Sequence, residues 1–211
     1  LLCRVAEGLK AYKYGTKAAE TPDVTGEVTS CDPYISFKWK GRDTVWHEVG
    51  TKLIGDYNIS NLLAAVTVGL KFGVGEGDIC KALEEYAPSN NRSQLKQTAS
   101  NTLIIDAYNA NPESMAAGLE VLGTLEPEKD GRRIAVLGDM LELGDESESL
   151  HLGLKKSLED NRVDLLFAAG EQTGKLFDSL PAENQGAKAL TSAELADTVA
   201  QSVRPGDIVF V

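Results

Sequence analysis

The chain has 211 residues, of which 42% are hydrophobic, and its formal net charge is −11. This composition excludes a mainly disordered chain and suffices for one large domain or two small ones. The acidic balance and the scattered Lys and Arg residues argue against a nucleic-acid surface, and no apolar run reaches the roughly 20 residues of a membrane span.

The three cysteines, Cys3, Cys31 and Cys80, are far apart and lack the spacing of metal ligands. An odd number of separated cysteines suits a reducing compartment, so we interpret them as buried thiols of a cytoplasmic protein. The first ten residues, LLCRVAEGLK, lack the layout of a signal peptide. Because the chain begins without Met and ends in the strand-like GDIVFV, we expect it to be part of a longer protein.

Short strand-like segments come first along the chain. KAYKYG, GEVTSC, YISFKW and TVWHEV alternate in polarity or carry aromatic and β-branched residues, which predicts a small antiparallel sheet. The pattern NISNLLAAVTVGLKFG then predicts a helix, and EGDICKALEEYA a shorter one. We expect part of the apolar face of the first helix to be left uncovered in this chain and to favour self-association; the residues concerned are Leu62, Leu63, Val66 and Leu70.

A polar segment, APSNNRS at positions 87–93, has no hydrophobic periodicity and predicts a boundary between domains 1–90 and 91–211. After it, apolar strands alternate with helices; the predicted strands are TLIID, RIAVLGD, VDLLFAAG, AKAL and DIVFV. This order predicts an α/β fold with a doubly wound, Rossmann-like parallel sheet that is covered on both faces. In such folds, ligands bind at the carboxyl ends of the strands.

The first strand end reads LIIDAYNANPESM. Asn111 and Pro112 are suited to cap and begin the following helix. Asp106, Tyr108 and Asn109 place hydrogen-bonding groups at the mouth of the predicted crevice. An aspartate just beyond a strand can accept hydrogen bonds from both hydroxyls of a ribose, but an Asx-turn explains Asp106 equally well.

The next two strand ends carry weaker signals. In VLGDMLELGDES, Asp145 and Glu148 have the spacing of a capping box, and we interpret His151 as an exposed helical histidine. In AAGEQTGKLF the two glycines enclose three residues rather than four, and Leu follows Lys175, so the segment is not a Walker loop. The amides at that helix start could still attract an anion weakly.

Two further polar residues have both a structural and a functional interpretation. Asn58 begins an otherwise apolar helix, where an asparagine can cap the backbone or present its amide to the edge of an adenine ring. Arg92 lies in the boundary segment, where its planar guanidinium suits phosphate oxygens, although a solvated linker arginine is the simpler reading.

The segments GDYNISNLLAAVTVG, NNRSQ, IIDAYNANPESM and VLGDMLELGDESESLH, in this order, resemble the Mur ligases of peptidoglycan synthesis. The resemblance covers essentially the whole chain. It implies that residues 1–90 are the end of a central ATP-binding domain and that residues 91–211 are most of a carboxyl-terminal Rossmann-like domain. The family's phosphate loop, modified lysine and Mg²⁺ ligands are then expected outside these 211 residues.

The resemblance also implies roles for individual residues. Asn58 matches an asparagine on the adenine side of ATP, Arg92 an arginine that contacts phosphate, and Asp106 an aspartate that binds ribose. Tyr108 and Asn109 lie in the same loop as Asp106. The sequence departs from the family pattern at two positions, since Tyr57 stands where His is frequent and Asn91 where Gly commonly precedes the arginine.

The implied reaction uses ATP and Mg²⁺ to join UDP-N-acetylmuramoyl-tripeptide to D-alanyl-D-alanine through an acyl phosphate, in a cytoplasmic enzyme that we expect to be monomeric when intact. Another Mur-type ligase or a folylpolyglutamate synthase shares the Asn, Arg and Asp positions and remains an alternative. The strings YNANPESM and LGDMLELG count against that alternative. A non-catalytic α/β binding module is a second alternative.

Overall fold

The structure is a computed structural model that describes residues 11–16, 22–41, 44–89 and 91–211. The chain divides into two compact units, Leu1–Ala87 and Pro88–Val211. The predicted strand KAYKYG begins at a residue outside the described part, and Cys3 lies outside it entirely. No helix among the described residues is long and apolar enough to cross a membrane.

The first unit contains a four-stranded sheet of β1 (Tyr14–Gly15), β2 (Val24–Cys31), β3 (Tyr34–Gly41) and β4 (His47–Ile54), in that order. Strands β2, β3 and β4 are antiparallel as predicted, whereas the two-residue β1 pairs with β2 in parallel. Alternate residues of β3 are fully buried, because successive side chains of a strand point to opposite faces.

Two helices, α1 (Ile59–Lys71) and α2 (Glu76–Glu85), complete the first unit. Leu62, Leu63 and Val66 of α1 are at most 3% exposed and pack against the apolar face of the sheet. The expectation of an uncovered helix face is therefore wrong, because the small sheet of the same unit covers it. The buried-thiol interpretation is also wrong for Cys31, which is exposed.

The second unit is an α/β fold, as predicted. Its elements are β5 (Gln94–Gln97), β6 (Thr102–Ile105), α3 (Pro112–Thr124), β7 (Arg133–Gly138), α4 (Ser147–Asp160), β8 (Leu165–Ala169), α5 (Glu171–Asp178), β9 (Gln185–Ala189), α6 (Ser192–Ser202) and β10 (Ile208–Phe210). The strand order is β5-β6-β10-β7-β8-β9, and only the edge strand β5 is antiparallel to its neighbour. The sequence did not predict β5, because its residues QLKQ lack an apolar alternation.

The helices cover both faces of the second sheet. α3, α4 and α5 pack side by side, whereas α6 packs on β8 and β9. Phe210 lies against Gly118 of α3, and the preceding Val209 packs with Leu195 of α6. Because neighbouring residues of a strand point to opposite faces, α6 lies on the face opposite α3. After β9 the chain crosses back over the sheet, and β10 lies between β6 and β7, parallel to both.

A buried carboxylate fixes the amino-terminal edge of this sheet. Asp207 precedes β10 and is fully buried, and its two oxygens accept hydrogen bonds from the backbone N–H groups of Arg132 and Arg204 and from the Arg132 guanidinium at 2.7–3.2 Å. Burial acts to raise the pKa of Asp207, but these hydrogen bonds outweigh it and hold the pKa below the usual aspartate range. The ionised carboxylate therefore ties β10 to the residue before β7.

We expect Asp207→Ala to destabilise the second unit by about 3 kcal/mol, because it leaves several donors without their buried acceptor. Since the folded-state pKa is below the unfolded one, the stabilisation is present above the unfolded pKa and is lost as the pH falls through the folded pKa. Denaturant unfolding of both proteins across acidic pH measures this difference. Asp160→Ala, which breaks the exposed pair with Lys156 on α4, is the control and should leave the midpoint unchanged. Equal unfolding midpoints for Asp207→Ala and the unmodified chain would contradict the stabilising role of Asp207.

Candidate functional site

A cavity of about 350 Å³ opens at the carboxyl ends of the central strands of the second unit. The loop after β6 contributes Asp106, Tyr108 and Asn109 to its wall, and the loop after β7 contributes Asp139 and Leu141. Parallel strands bring their carboxyl ends to one edge of a sheet, which is where the ligands of doubly wound folds bind. The cavity therefore coincides with the strand ends at which the sequence predicted a site.

Asp106 receives a hydrogen bond from a distant part of the chain. Its Oδ1 accepts from the backbone N–H of Ser93 at 3.0 Å, and no other hydrogen bond to this carboxylate is formed within the described ranges. The Asx-turn interpretation is therefore wrong, since that turn would use an N–H two residues further on. Burial raises the pKa of Asp106 above the usual range, while the Ser93 N–H and the Arg92 charge act in the opposite direction.

Arg92 lies beside this carboxylate and stacks on Tyr108. The Cζ atom of Arg92 is 3.8 Å from the centroid of the Tyr108 ring, which is the geometry of a cation–π contact. Asn91 and Ser93, on either side of Arg92, have φ values of 52° and 47°. Left-handed backbone favours Gly and is tolerated by Asn, which accounts for Asn91 where the family commonly has Gly.

The remaining residues of the first strand end have separate positions. Asn109 lies on the cavity wall and is exposed. Asn111 caps α3 as predicted: its side chain accepts from the Ser114 N–H at 2.9 Å, and Pro112 is the first helical residue. The structure thus separates a capping pair from the polar group formed by Arg92, Asp106 and Tyr108.

Asn58 belongs to the first unit and is only 6% exposed. Its Nδ2 donates to the carbonyl of Ile54 at 2.9 Å, and its Oδ1 accepts from Nδ2 of Asn61 at 3.0 Å. The side chain accepts no hydrogen bond from a backbone N–H of the first turn of α1, so the capping interpretation is wrong. One N–H and one lone pair of the amide are not used by these two bonds. Tyr57 precedes it in a short 3-10 turn and is 37% exposed.

Asp139 follows β7 and caps a helix that begins after the neighbouring strand. Its carboxylate accepts from the backbone N–H groups of Glu171, Gln172 and Thr173 and from the Thr173 hydroxyl at 2.7–3.2 Å. Partial burial acts to raise the pKa of Asp139, but the bonds from Thr173 and Gln172 outweigh it and lower the pKa. The amides predicted to attract an anion are therefore satisfied by a carboxylate of the chain itself.

His151 is fully buried, so its interpretation as an exposed histidine is wrong. Its Nε2 accepts from the backbone N–H of Met140 at 2.8 Å, and its Nδ1 lies 2.7 Å from the Ser147 carbonyl oxygen. An imidazole nitrogen that faces an N–H must be unprotonated, and one that faces a carbonyl must carry the proton. His151 is therefore neutral, and it holds the loop that carries Asp139.

The predicted capping box of Asp145 and Glu148 does not form. Helix α4 begins at Ser147 without a side-chain cap, and Glu148 instead pairs with Lys175 of α5 at 2.7 Å. A preceding 3-10 turn, which includes Asp145, shifts the start of the helix. Among the residues that the structure describes, no group of three His, Cys, Asp or Glu side chains could hold a metal ion.

Sequence reasoning missed Ser93 and undervalued Asp139 and His151. The Gly-Asp pair after β7 is equivalent in position to Asp106 after β6, and this was the available signal for Asp139. The contact of Ser93 depends on the pairing of β5 with β6, and no local sequence pattern predicted that pairing. The fold and this strand-end cluster together define a Rossmann-like domain with a polar cluster at the carboxyl ends of its central strands, which is where the ligands of this class of fold bind.

Comparison with known proteins agrees with this class. Residues 91–211 match the family described as Mur ligase, glutamate ligase domain. The UDP-N-acetylmuramoyl-tripeptide:D-alanyl-D-alanine ligase of Bacillus subtilis is 37% identical over 120 residues, which cover 56% of this chain and 26% of that protein. The ligase of the same name from Mycobacterium leprae is 33% identical over 184 residues, which cover 78% of this chain and 35% of that protein.

Solved structures of Mur ligases are similar in fold to this chain. The fold is similar to that of MurF from Acinetobacter baumannii, with a TM-score of 0.82 and 28% identity, over 99% of this chain and 45% of that one. It is also similar to a MurF ligase from Thermotoga maritima in complex with ADP, with a TM-score of 0.70 and 21% identity, over 90% of this chain and 43% of that one. The chain belongs to the Mur ligase family. It spans between 26% and 35% of the length of the two curated relatives named above.

The two histidines of the chain should differ at Nε2, which is unprotonated in His151 and carries a proton in His47. His151 should be the Nδ1–H tautomer, whereas His47 donates from Nε2 to Glu76 at 3.0 Å in the first unit. Imidazole ¹⁵N chemical shifts at neutral pH distinguish the two forms, and His47→Gln assigns the signals. A proton on Nε2 of His151 would contradict the hydrogen bond from Met140.

Proposed function

We propose that this chain is part of an ATP-dependent ligase that joins D-alanyl-D-alanine to UDP-N-acetylmuramoyl-tripeptide in peptidoglycan precursor synthesis. The observation that carries the proposal is the cluster of Arg92, Asp106 and Tyr108 at the strand ends of a Mur ligase domain. The names of the curated relatives supply the substrates. Residues 1–90 are then the end of the central ATP-binding domain, and residues 91–211 are most of the carboxyl-terminal domain.

Each candidate residue is assigned a part of the nucleotide by its own chemistry. Asp106 offers a partly buried carboxylate to the ribose hydroxyls, and Arg92 offers a permanent planar cation to the phosphates. Asn58 offers its unused N–H and lone pair to the adenine edge. Tyr108 and Asn109 extend the wall of the cavity beside Asp106. Free thiols at Cys31 and Cys80 are compatible with a cytoplasmic setting.

The proposed reaction has two steps. A carboxylate oxygen of the tripeptide attacks the γ-phosphorus of ATP, so that an acyl phosphate forms and ADP leaves. The amine of D-alanyl-D-alanine then attacks the acyl carbon, loses a proton and displaces inorganic phosphate. Negative charge builds up on the transferring phosphoryl group, and a guanidinium that is already in place stabilises it without reorganisation.

Mg²⁺ would neutralise part of the phosphate charge in this reaction, and we place its ligands outside these 211 residues. The contribution of the described residues is binding and orientation. Arg92 approaches the phosphates, Asp106 holds the sugar, and the cavity between the loops after β6 and β7 offers space of about 350 Å³ beside them. We assign this cavity to the incoming D-alanyl-D-alanine, because the cavity lies next to Asp106.

In the complete enzyme, Arg92→Lys should lower kcat by roughly tenfold or more, because Lys keeps the charge but loses the planar fork. Folding stability should be almost unchanged, since Arg92 is exposed. The rate of phosphate release at saturating substrates measures the effect. Arg204→Lys, an exposed arginine at the opposite edge of the same sheet, is the matched control. Full activity of Arg92→Lys would return Arg92 to the role of a solvated linker residue.

The 211-residue chain by itself should bind Mg-ATP weakly and should not turn it over. The amides of α5, which are suited to an anion, are already occupied by Asp139, and Lys175 is paired with Glu148. Calorimetric titration and a phosphate-release assay measure both properties. Tight binding or turnover would show a phosphate site within the chain and would contradict the assignment of the phosphate loop to another part of the enzyme.

A further inference from the structure

The segment that carries Arg92 is held in place by two residues of the loop after β6. Ser93 donates its backbone N–H to Asp106 Oδ1, and the Arg92 guanidinium stacks on Tyr108. We propose that Asp106 and Tyr108 are positioning residues for Arg92, so that the carboxylate assigned to the ribose also fixes the cation assigned to the phosphates. The functional meaning of this arrangement rests on the proposed function, but the arrangement itself is testable without activity.

The pairing of the edge strand brings these residues together. Strand β5 is antiparallel to β6, and Gln94 is the partner of Ile105. The residue before Gln94 therefore lies opposite the residue after Ile105, which places Ser93 beside Asp106. The register of β5 therefore determines the position of Arg92, although this strand has no apolar pattern.

The backbone around Arg92 needs such an anchor. Asn91 and Ser93 both have left-handed backbone, which non-glycine residues adopt infrequently and keep where the surroundings fix them. Ser93 is 9% exposed, and its N–H points to an ionisable carboxylate rather than to water. A hydrogen bond from an amide to a carboxylate is stronger than one between neutral groups. Asp106 therefore supplies a charged acceptor that stabilises this conformation.

Tyr108 acts on the side chain of Arg92 rather than on its backbone. The Tyr108 ring is 62% exposed, so it contributes little to the core of the unit. A guanidinium that stacks on a ring keeps its in-plane N–H groups available for oxygen ligands. Tyr108 therefore restricts Arg92 to a narrow set of positions without using the donors that would contact phosphate.

One carboxylate would then affect both ends of the nucleotide. Loss of the negative charge at Asp106 weakens the ribose contact alone if the replacement still accepts from Ser93. Loss of the acceptor releases segment 91–93 as well. Asp106→Asn and Asp106→Ala separate these two effects, because the Asn carbonyl oxygen can accept the Ser93 N–H and Ala cannot.

The test is NMR of the 211-residue chain, in which the Nε–Hε signal of Arg92 reports its position. Arg92→Lys identifies the signal by its disappearance. In the unmodified chain, we expect an upfield ring-current shift that persists in Tyr108→Phe and is lost in Tyr108→Leu. The shift should persist in Asp106→Asn and should be lost in Asp106→Ala. Unchanged amide signals of β6 and α3 confirm that each variant is folded.

A shift that survives in Asp106→Ala would overturn the role of Asp106, and one that survives in Tyr108→Leu would overturn the stacking. In the complete enzyme, both Asp106 variants should raise the KM for ATP, and Asp106→Ala should also lower kcat by roughly the same factor as Arg92→Lys. Equal kcat values for the two Asp106 variants, together with a ring-current shift that only Asp106→Ala loses, would contradict the phosphate role of Arg92. The positioning of Arg92 by Asp106 would still be supported. The positioning of Arg92 and its proposed contact with phosphate are therefore tested separately.

Discussion

The insertion of β10 between β6 and β7 is the constraint on which the second unit depends. Its three residues are 3% exposed and form hydrogen bonds with both neighbouring strands, so neither neighbour can shift without breaking a ladder. At its beginning, the buried Asp207 joins it to Arg132, and after its end Val211 accepts from the Asp106 N–H at 2.7 Å. The register of this short strand therefore sets the level at which the loops after β6 and β7 leave the sheet.

Those two loops begin with aspartates that have opposite environments. Asp139 accepts four hydrogen bonds at the start of α5, and its pKa is lowered, so its capacity as an acceptor is used by the protein. Asp106 accepts one hydrogen bond from the residues that the structure describes, and burial raises its pKa. Equivalent positions on parallel strands thus have different roles: Asp139 stabilises a helix, whereas Asp106 is the residue to which we assign the ribose under the proposed function.

The same distinction applies to the other polar residues near the cavity. Asn111 is a helix cap, and His151 fixes the backbone at Met140, so both are satisfied within the fold. Arg92 and Tyr108 are exposed and contact each other, without an ion pair between Arg92 and any described carboxylate within 4 Å. Under the proposed function, this group of one exposed cation, one aromatic ring and one partly satisfied carboxylate would bind an anionic ligand that carries a sugar.

The sequence by itself determined the alternation of strands and helices from Thr102 onward, the cap at Asn111 and the polar strand end at Asp106. These features depend on local periodicity and on the chemistry of single residues, which are visible along the chain. Only the tertiary structure decided that β10 lies between β6 and β7, that His151 is buried, that Asp139 caps α5 and that Ser93 binds Asp106. Each of these depends on contacts between residues at least eleven positions apart, and such contacts are set by strand order and register, which no local pattern encodes.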